Sequence, residues 1–194
     1  MTAAQRIVLW NSAGFRAGTS STSSKFSFLD SPFLNASFSI AALVETYHKD
    51  GRYFSSDLCQ FQKTHNIIHS LVGKETQSGI IVLISRDFEI IDETETIPGR
   101  LFNVKLKRAN KTLNLSIFHG PQWAKLDKNE INDTIAKFDT IHGPSDNNII
   151  MGDFNFAEFD IDKAKGMDSR DKFIKPLWYN FLSTSAIIDP FRVQ

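Results

Sequence analysis

Short apolar runs punctuate the chain, and four of them stop at a polar residue suited to metal or phosphate chemistry. Arg6–Trp10 (RIVLW) runs into Asn11, and Phe38–Val44 (FSIAALV) into Glu45. Leu113–Phe118 (LNLSIF) runs into His119, and Asn148–Met151 (NIIM) passes through Gly152 into Asp153. Runs of this length read as buried strands, because a helix needs a longer pattern. Sites in α/β folds gather beyond the ends of strands. Four strands sharing a direction would therefore bring these four side chains together. Taken singly, each residue is commoner as a turn or solvated strand end. Their recurrence, each after its own apolar strand, is what constrains the fold.

The rest of the pattern is compatible with this. Asn66–Val72 reads as a strand, and Ser78–Ile91 as two strands meeting in a hairpin near Arg86–Asp87. Leu101–Leu106 and Leu113–Phe118 form a second expected hairpin across the polar turn Arg108–Thr112. Ile131, Ile135, Phe138 and Ile141 recur at helical spacing, which predicts a helix within Leu126–Ile141. A second helix is expected over Phe173–Ile187. Asn11–Ser24 is a Gly-, Ser- and Thr-rich loop. Lys25–Phe33 is ambiguous between loop and a short helical turn. Strands in the middle with helices between the later ones predict an α/β sandwich.

Composition sets outer bounds. A chain of 194 residues suits one domain. The 22 basic and 22 acidic residues cancel, which argues against a strong non-specific nucleic-acid binder but leaves room for a local basic groove. Cys59 is the only cysteine, so there is no disulfide partner, and a reducing compartment fits. MTAAQRIVLW lacks the pattern of a secretory signal, and no apolar run reaches bilayer length. The expected location is intracellular, with no membrane association. The 17 phenylalanines carry no polar handle and are expected mostly in the core.

The most informative string is GDFN, Gly152–Asn155, after a buried strand. Extended geometry would put Asp153 and Asn155 on one face and Phe154 on the other. Gly152 would permit close approach of another backbone. A phosphodiester resists attack because its oxygens are negative and its leaving oxygen needs charge relief. Mg2+ supplies that relief with one or two carboxylates and water. Glu45 is the candidate metal ligand. Asp153 is suited to orient or deprotonate the attacking water. Asn11 and Asn155 can hold metal-bound water or donate to phosphate oxygens without adding charge.

The series WNSAGF, LVET, SGIIVLIS, IFHGP, GDFN and LWYNFLSTSAIIDPFR resembles the endonuclease/exonuclease/phosphatase (DNase I-like) superfamily. SGIIVLISRDFEI and IIDPFR are most similar to the endonuclease domains of LINE-type retrotransposons. The resemblance runs from Arg6 to Arg192. It implies a four-layer α-β-β-α sandwich, a single domain over residues 1–194. In the family, IIDPFR is followed by further strands and a terminal Ser-Asp-His, whereas this chain ends at Gln194. The resemblance thus implies a domain incomplete at its C-terminus, exposing a sheet edge. His48, His65, His69 and His142 lie outside the motif that would replace the missing histidine. Residue by residue, the resemblance implies metal binding by Glu45 and Asn11, and catalysis by Asp153, Asn155 and His119. Asn155 and His119 would also contact substrate. His119 stands where many members have tyrosine, and Ala13 where retroelement nucleases often carry a second asparagine. The implied activity is a Mg2+-dependent phosphodiester hydrolase, with Mn2+ as a substitute, nicking DNA, of retroelement origin and impaired by truncation. A nuclear location accompanies that origin. Two alternatives stay open: a phosphatase acting on phosphoinositides or another small phosphoester, and a non-catalytic nucleic-acid-binding remnant.

Overall fold

The computed structural model describes residues 6–12, 38–47, 58, 61–70, 78–139, 147–156, 169–185 and 187. They fall into two compact units, one of residues 1–119 and 149–153, the other of residues 120–148 and 154–194.

The first unit holds two four-stranded sheets. One contains β1 (Ile7–Asn11), β2 (Ile40–Val44), β3 (His65–Ser70) and β4 (Ile80–Ser85), in the order β1-β2-β4-β3. β1 and β2 are parallel, and β4 is antiparallel to both its neighbours. The other sheet is β5 (Glu89–Ile97), β6 (Leu101–Arg108), β7 (Lys111–His119) and β8 (Asn148–Asp153), in sequence order. Ile40, Ala42, Val44, Ile80, Val82 and Ile84 of the first sheet cluster with Val104, Leu106, Leu115 and Ile117 of the second. The alternate residues Ala41, Leu43, Ile81 and Leu83 pack with Phe38 and Leu58 in a separate cluster. Both faces of β2 and β4 are therefore buried. That is why their sequences are unbroken apolar runs rather than alternating ones.

The β6–β7 hairpin forms as expected, with Leu101 opposite Phe118 and a two-residue turn at Ala109–Asn110. The hairpin expected within Ser78–Ile91 does not. A tight turn at Arg86–Phe88 is present, but β4 pairs with β2 and β3 while β5 pairs with β6. The turn carries the chain from one sheet to the other. β5 also runs on through Asp92–Thr96, which lack the apolar alternation of a strand. It lies at the edge of its sheet, where solvated polar side chains are tolerated. A register shift between Ile90 and Asp92 leaves Ile91 as the unpaired residue of a bulge, 45% exposed.

In the second unit, α1 (Lys128–Asp139) opens with a reciprocal cap. The Asp127 carboxylate accepts the amides of Asn129 and Glu130 at 2.8 and 2.9 Å, and Glu130 accepts the Asp127 amide at 2.8 Å. Ile131, Ile135 and Phe138 are buried, as their spacing predicts, and so are Ile174, Trp178 and Phe181 of α2 (Ser169–Thr184). The Phe138 ring lies 5.5 Å from Trp178 and 5.3 Å from Phe181. Ala13–Ser24, Lys25–Phe33, Ile141, Cys59 and the end of IIDPFR lie outside the described residues. No described helix is long and apolar enough to cross a membrane.

Candidate active site

Asn11 ends β1, and its parallel partner in β2 is Val44, the residue before Glu45. The β1 end is fastened there, because the Ser12 amide donates to the Val44 carbonyl at 3.0 Å. The Ser12 hydroxyl lies 2.9 Å from the same oxygen and 3.0 Å from the Glu45 carbonyl. Glu45 leaves the strand with φ 56°, and Tyr47 has the same value. A left-handed residue with a Cβ costs about 1–2 kcal/mol. Such geometry persists only where neighbours over-determine it. Here the amides of Thr46 and Tyr47 are held by the carbonyls of Gly79 and Ser78, at 3.2 and 3.0 Å. The strained turn swings the Glu45 carboxylate off the line of its strand.

That carboxylate meets His119, the last residue of β7. His119 Nε2 lies 3.0 Å from Glu45 Oε1, and His119 is 2% exposed. Burial pushes its pKa down, the Arg100 guanidinium adds to this, and Glu45 pulls the other way. In the neutral tautomer protonated at Nε2, that nitrogen donates to Glu45 and Nδ1 carries the lone pair. Nδ1 is buried without a hydrogen-bond partner among the described residues. The Tyr47 hydroxyl lies 3.5 Å from the other Glu45 oxygen.

Asp153 ends β8, and its Oδ2 accepts the Asn11 side-chain amide at 2.7 Å. The distance is that of a charge-assisted bond. Asp153 also acts electrostatically on His119. Gly152 is required by close packing: a Cβ there would sit 1.9 Å from the Phe118 carbonyl oxygen of β7. The expected close backbone approach is therefore the neighbouring strand, drawn in beside His119.

Asn11 pairs with Asp153, and Glu45 with His119. Each pair joins one residue of the first sheet to one of the second, at the ends of β1, β2, β7 and β8. Asn155 is a different matter. It belongs to the second unit, is exposed, and has φ 54°. Its side-chain amide donates to the Gly120 carbonyl at 2.7 Å. The strand stops at Asp153 and a left-handed residue follows. The expected strand alternation therefore does not reach Asn155. Phe154 does anchor in apolar surroundings, 4.9 Å from the Trp178 ring, with its carbonyl accepting Trp123 Nε1–H at 2.7 Å.

Sequence reasoning passed over three residues around this rim. Ser12 follows Asn11 and Tyr47 lies just beyond Glu45 and Thr46, so both could have been found by neighbourhood. Arg100 could not. It is buried in the turn between β5 and β6, and its guanidinium donates to the His119 carbonyl at 3.3 Å.

Glu45 is the side chain here that could hold a hard cation. Glu45 is only 21% exposed, and a carboxylate offers about four lone-pair positions, more than His119 and Tyr47 occupy. Among the described residues no three His, Cys, Asp or Glu side chains form a closed metal cage. One carboxylate with solvent completing the shell is an arrangement Mg2+ accepts.

Comparison with known proteins adds the wider setting. No protein-family profile matches the chain. Over 124 residues, 61% of the chain, it is 28% identical to the transposon TX1 uncharacterized 149 kDa protein of Xenopus laevis; the match spans 9% of that protein's length. An AP endonuclease from Archaeoglobus fulgidus superposes with a TM-score of 0.64 at 16% identity, over 91% of this chain and 71% of that one. The endonuclease domain of TRAS1, a telomere-specific non-LTR retrotransposon, gives 0.59 at 14% identity, over 90% and 71%. D. rerio TDP2 complexed with single-strand DNA product gives 0.59 at 13% identity, over 84% and 65%. With one mixed sheet, a second four-stranded sheet and its helices, the chain has the α/β, DNase I-like fold of these neighbours, and in sequence it is similar to a transposon protein.

Proposed function

We propose that this chain is a Mg2+-dependent phosphodiester hydrolase acting on DNA, an endonuclease domain of retroelement origin. The observation that carries the reading is the pairing of Asn11 with Asp153 and of Glu45 with His119 by hydrogen bonds between strand ends of the two sheets. The similarity to a transposon protein and the nuclease folds among the structural neighbours support DNA over a small phosphoester.

Glu45 would hold the cation, with Mn2+ able to replace Mg2+. When bound, the ion relieves negative charge on the phosphate and the leaving oxygen. The chain's own groups do the rest. His119 Nε2–H donates to Glu45 Oε1 and fixes the carboxylate's rotation. Partners behind a ligand of this kind tune both its direction and its basicity. The Asn11 amide holds Asp153 Oδ2, leaving the carboxylate oriented to take a proton from an attacking water. Asn11 thus acts through Asp153, beside any contact with metal-bound water. His119 is too buried to serve first as a substrate contact, so its main part is to position Glu45.

The test is nicking of supercoiled plasmid in Mg2+. Asp153→Asn should lower the rate by about 10²-fold or more, the usual worth of a positioned base. Glu45→Gln should abolish metal-dependent turnover. Nicking that survives both substitutions would refute the reading. Release of inorganic phosphate from an inositol phosphate, without plasmid nicking, would transfer the site to the phosphatase class.

A further inference from the structure

We propose that Arg100 is a positioning residue for the Glu45–His119 pair, and that the Pro98–Arg100 turn is the common support of both members. The inference rests on the site reading above, but its geometry stands on the turn alone.

The turn reaches His119 from two sides. The His119 amide donates to the Arg100 carbonyl at 2.8 Å, and the Arg100 guanidinium donates to the His119 carbonyl at 3.3 Å. Both backbone groups of one residue are thus held by one other. The turn reaches Glu45 by a second route. The Gly79 amide donates to the Gly99 carbonyl at 2.9 Å, and the Gly79 carbonyl accepts the Thr46 amide at 3.2 Å. Thr46 directly follows the left-handed Glu45. The turn is itself pinned from the other side. The Gly99 amide lies 2.7 Å from the Ser70 hydroxyl and 3.2 Å from a Glu95 carboxylate oxygen, and Ser70 donates to that same oxygen. Gly99 has φ 69°, so the turn is shaped for glycine.

Burying a guanidinium is costly unless its hydrogen bonds are made. Arg100 is 9% exposed, at a surface turn where a solvated side chain would be ordinary. A guanidinium held inward, with a hydrogen bond on the backbone of His119, fixes the residue whose ring steers Glu45. Arg100 is placed to act through His119.

The test reads the His119 ring directly, in metal-free protein, by long-range proton–nitrogen correlation on histidine-labelled chain, assigned against His119→Gln. Wild type should show the Nε2–H tautomer. Arg100→Met should average the two tautomers, and Arg100→Lys should restore much of the wild-type pattern. If wild type nicks DNA, Arg100→Met should also raise the half-saturating Mg2+ concentration by about 10-fold or more, the scale of second-layer changes at metal sites. A cooperatively melting Arg100→Met chain with an unchanged His119 pattern overturns the proposal. Should that variant fail to fold, Gly99→Ala decides, since it disturbs the turn and keeps the guanidinium. A shifted His119 ring then supports the turn's role, and an unchanged one overturns it. An inactive wild type would sink the nuclease reading while leaving the ring measurement to judge Arg100.

Discussion

Gly152 occupies a position where one added carbon has nowhere to go. A Cβ would fall 1.9 Å from a main-chain oxygen of β7, and neither strand can yield cheaply. Gly152→Ala should therefore destabilise the fold by about 1–3 kcal/mol, the usual cost of overpacking a tight site. A urea titration measures it, and an unchanged midpoint would show that β7 and β8 are not so closely drawn. Asn11→Leu makes a complementary prediction. It keeps the volume but removes the donor to Asp153, so plasmid nicking should fall by about 10-fold or more with little change in the melt, as for loss of a positioning partner. Retained activity would show that Asp153 needs no such partner.

Among the elements, the β6–β7 hairpin carries an improvable turn. Ala109 has φ 52° at the first of two turn residues, where a hairpin favours glycine. Ala109→Gly should stabilise the chain by about 0.5–1 kcal/mol, since relief of strain exceeds the added freedom of the unfolded chain. A lower melting temperature would count against it. The same hairpin shows what the sequence discloses. LFNVKL and LNLSIF announce two strands and the polar turn between them. IIVLIS announces a strand but not its partners, because a residue buried on both faces carries no sign of which neighbour it pairs with. The turn at Arg86–Phe88 therefore looked like a hairpin and is a passage between sheets. DETETI was not legible as a strand, since an edge exposed to water needs no apolar alternation. At the rim, strand ends led to Asn11, Glu45, His119 and Asp153, which the structure joins in two hydrogen-bonded pairs. Arg100 stayed hidden because its link to His119 lies in backbone geometry, and Asn155 departed from the strand rule because φ changed sign just past Asp153.

For the whole molecule, acidity acts through two histidines. His65 and His119 both have pKa values lowered chiefly by burial. The unfolded chain then binds protons first as pH falls. Their contribution to stability is complete above the free-histidine value of about 6.5 and is lost as pH drops from there through the folded values. Urea midpoints across that range should decline with acidification, and His65→Gln should flatten the slope; a flat profile in wild type would contradict it. The paired rim residues have a last consequence. Each of the two bonds, Asn11 to Asp153 and Glu45 to His119, has one foot on either sheet. Sliding one sheet over the other by a single residue, about 3.3 Å, would part both at once. Under the proposed function, nicking activity would serve as a gauge of alignment, present only while the two layers stay in step.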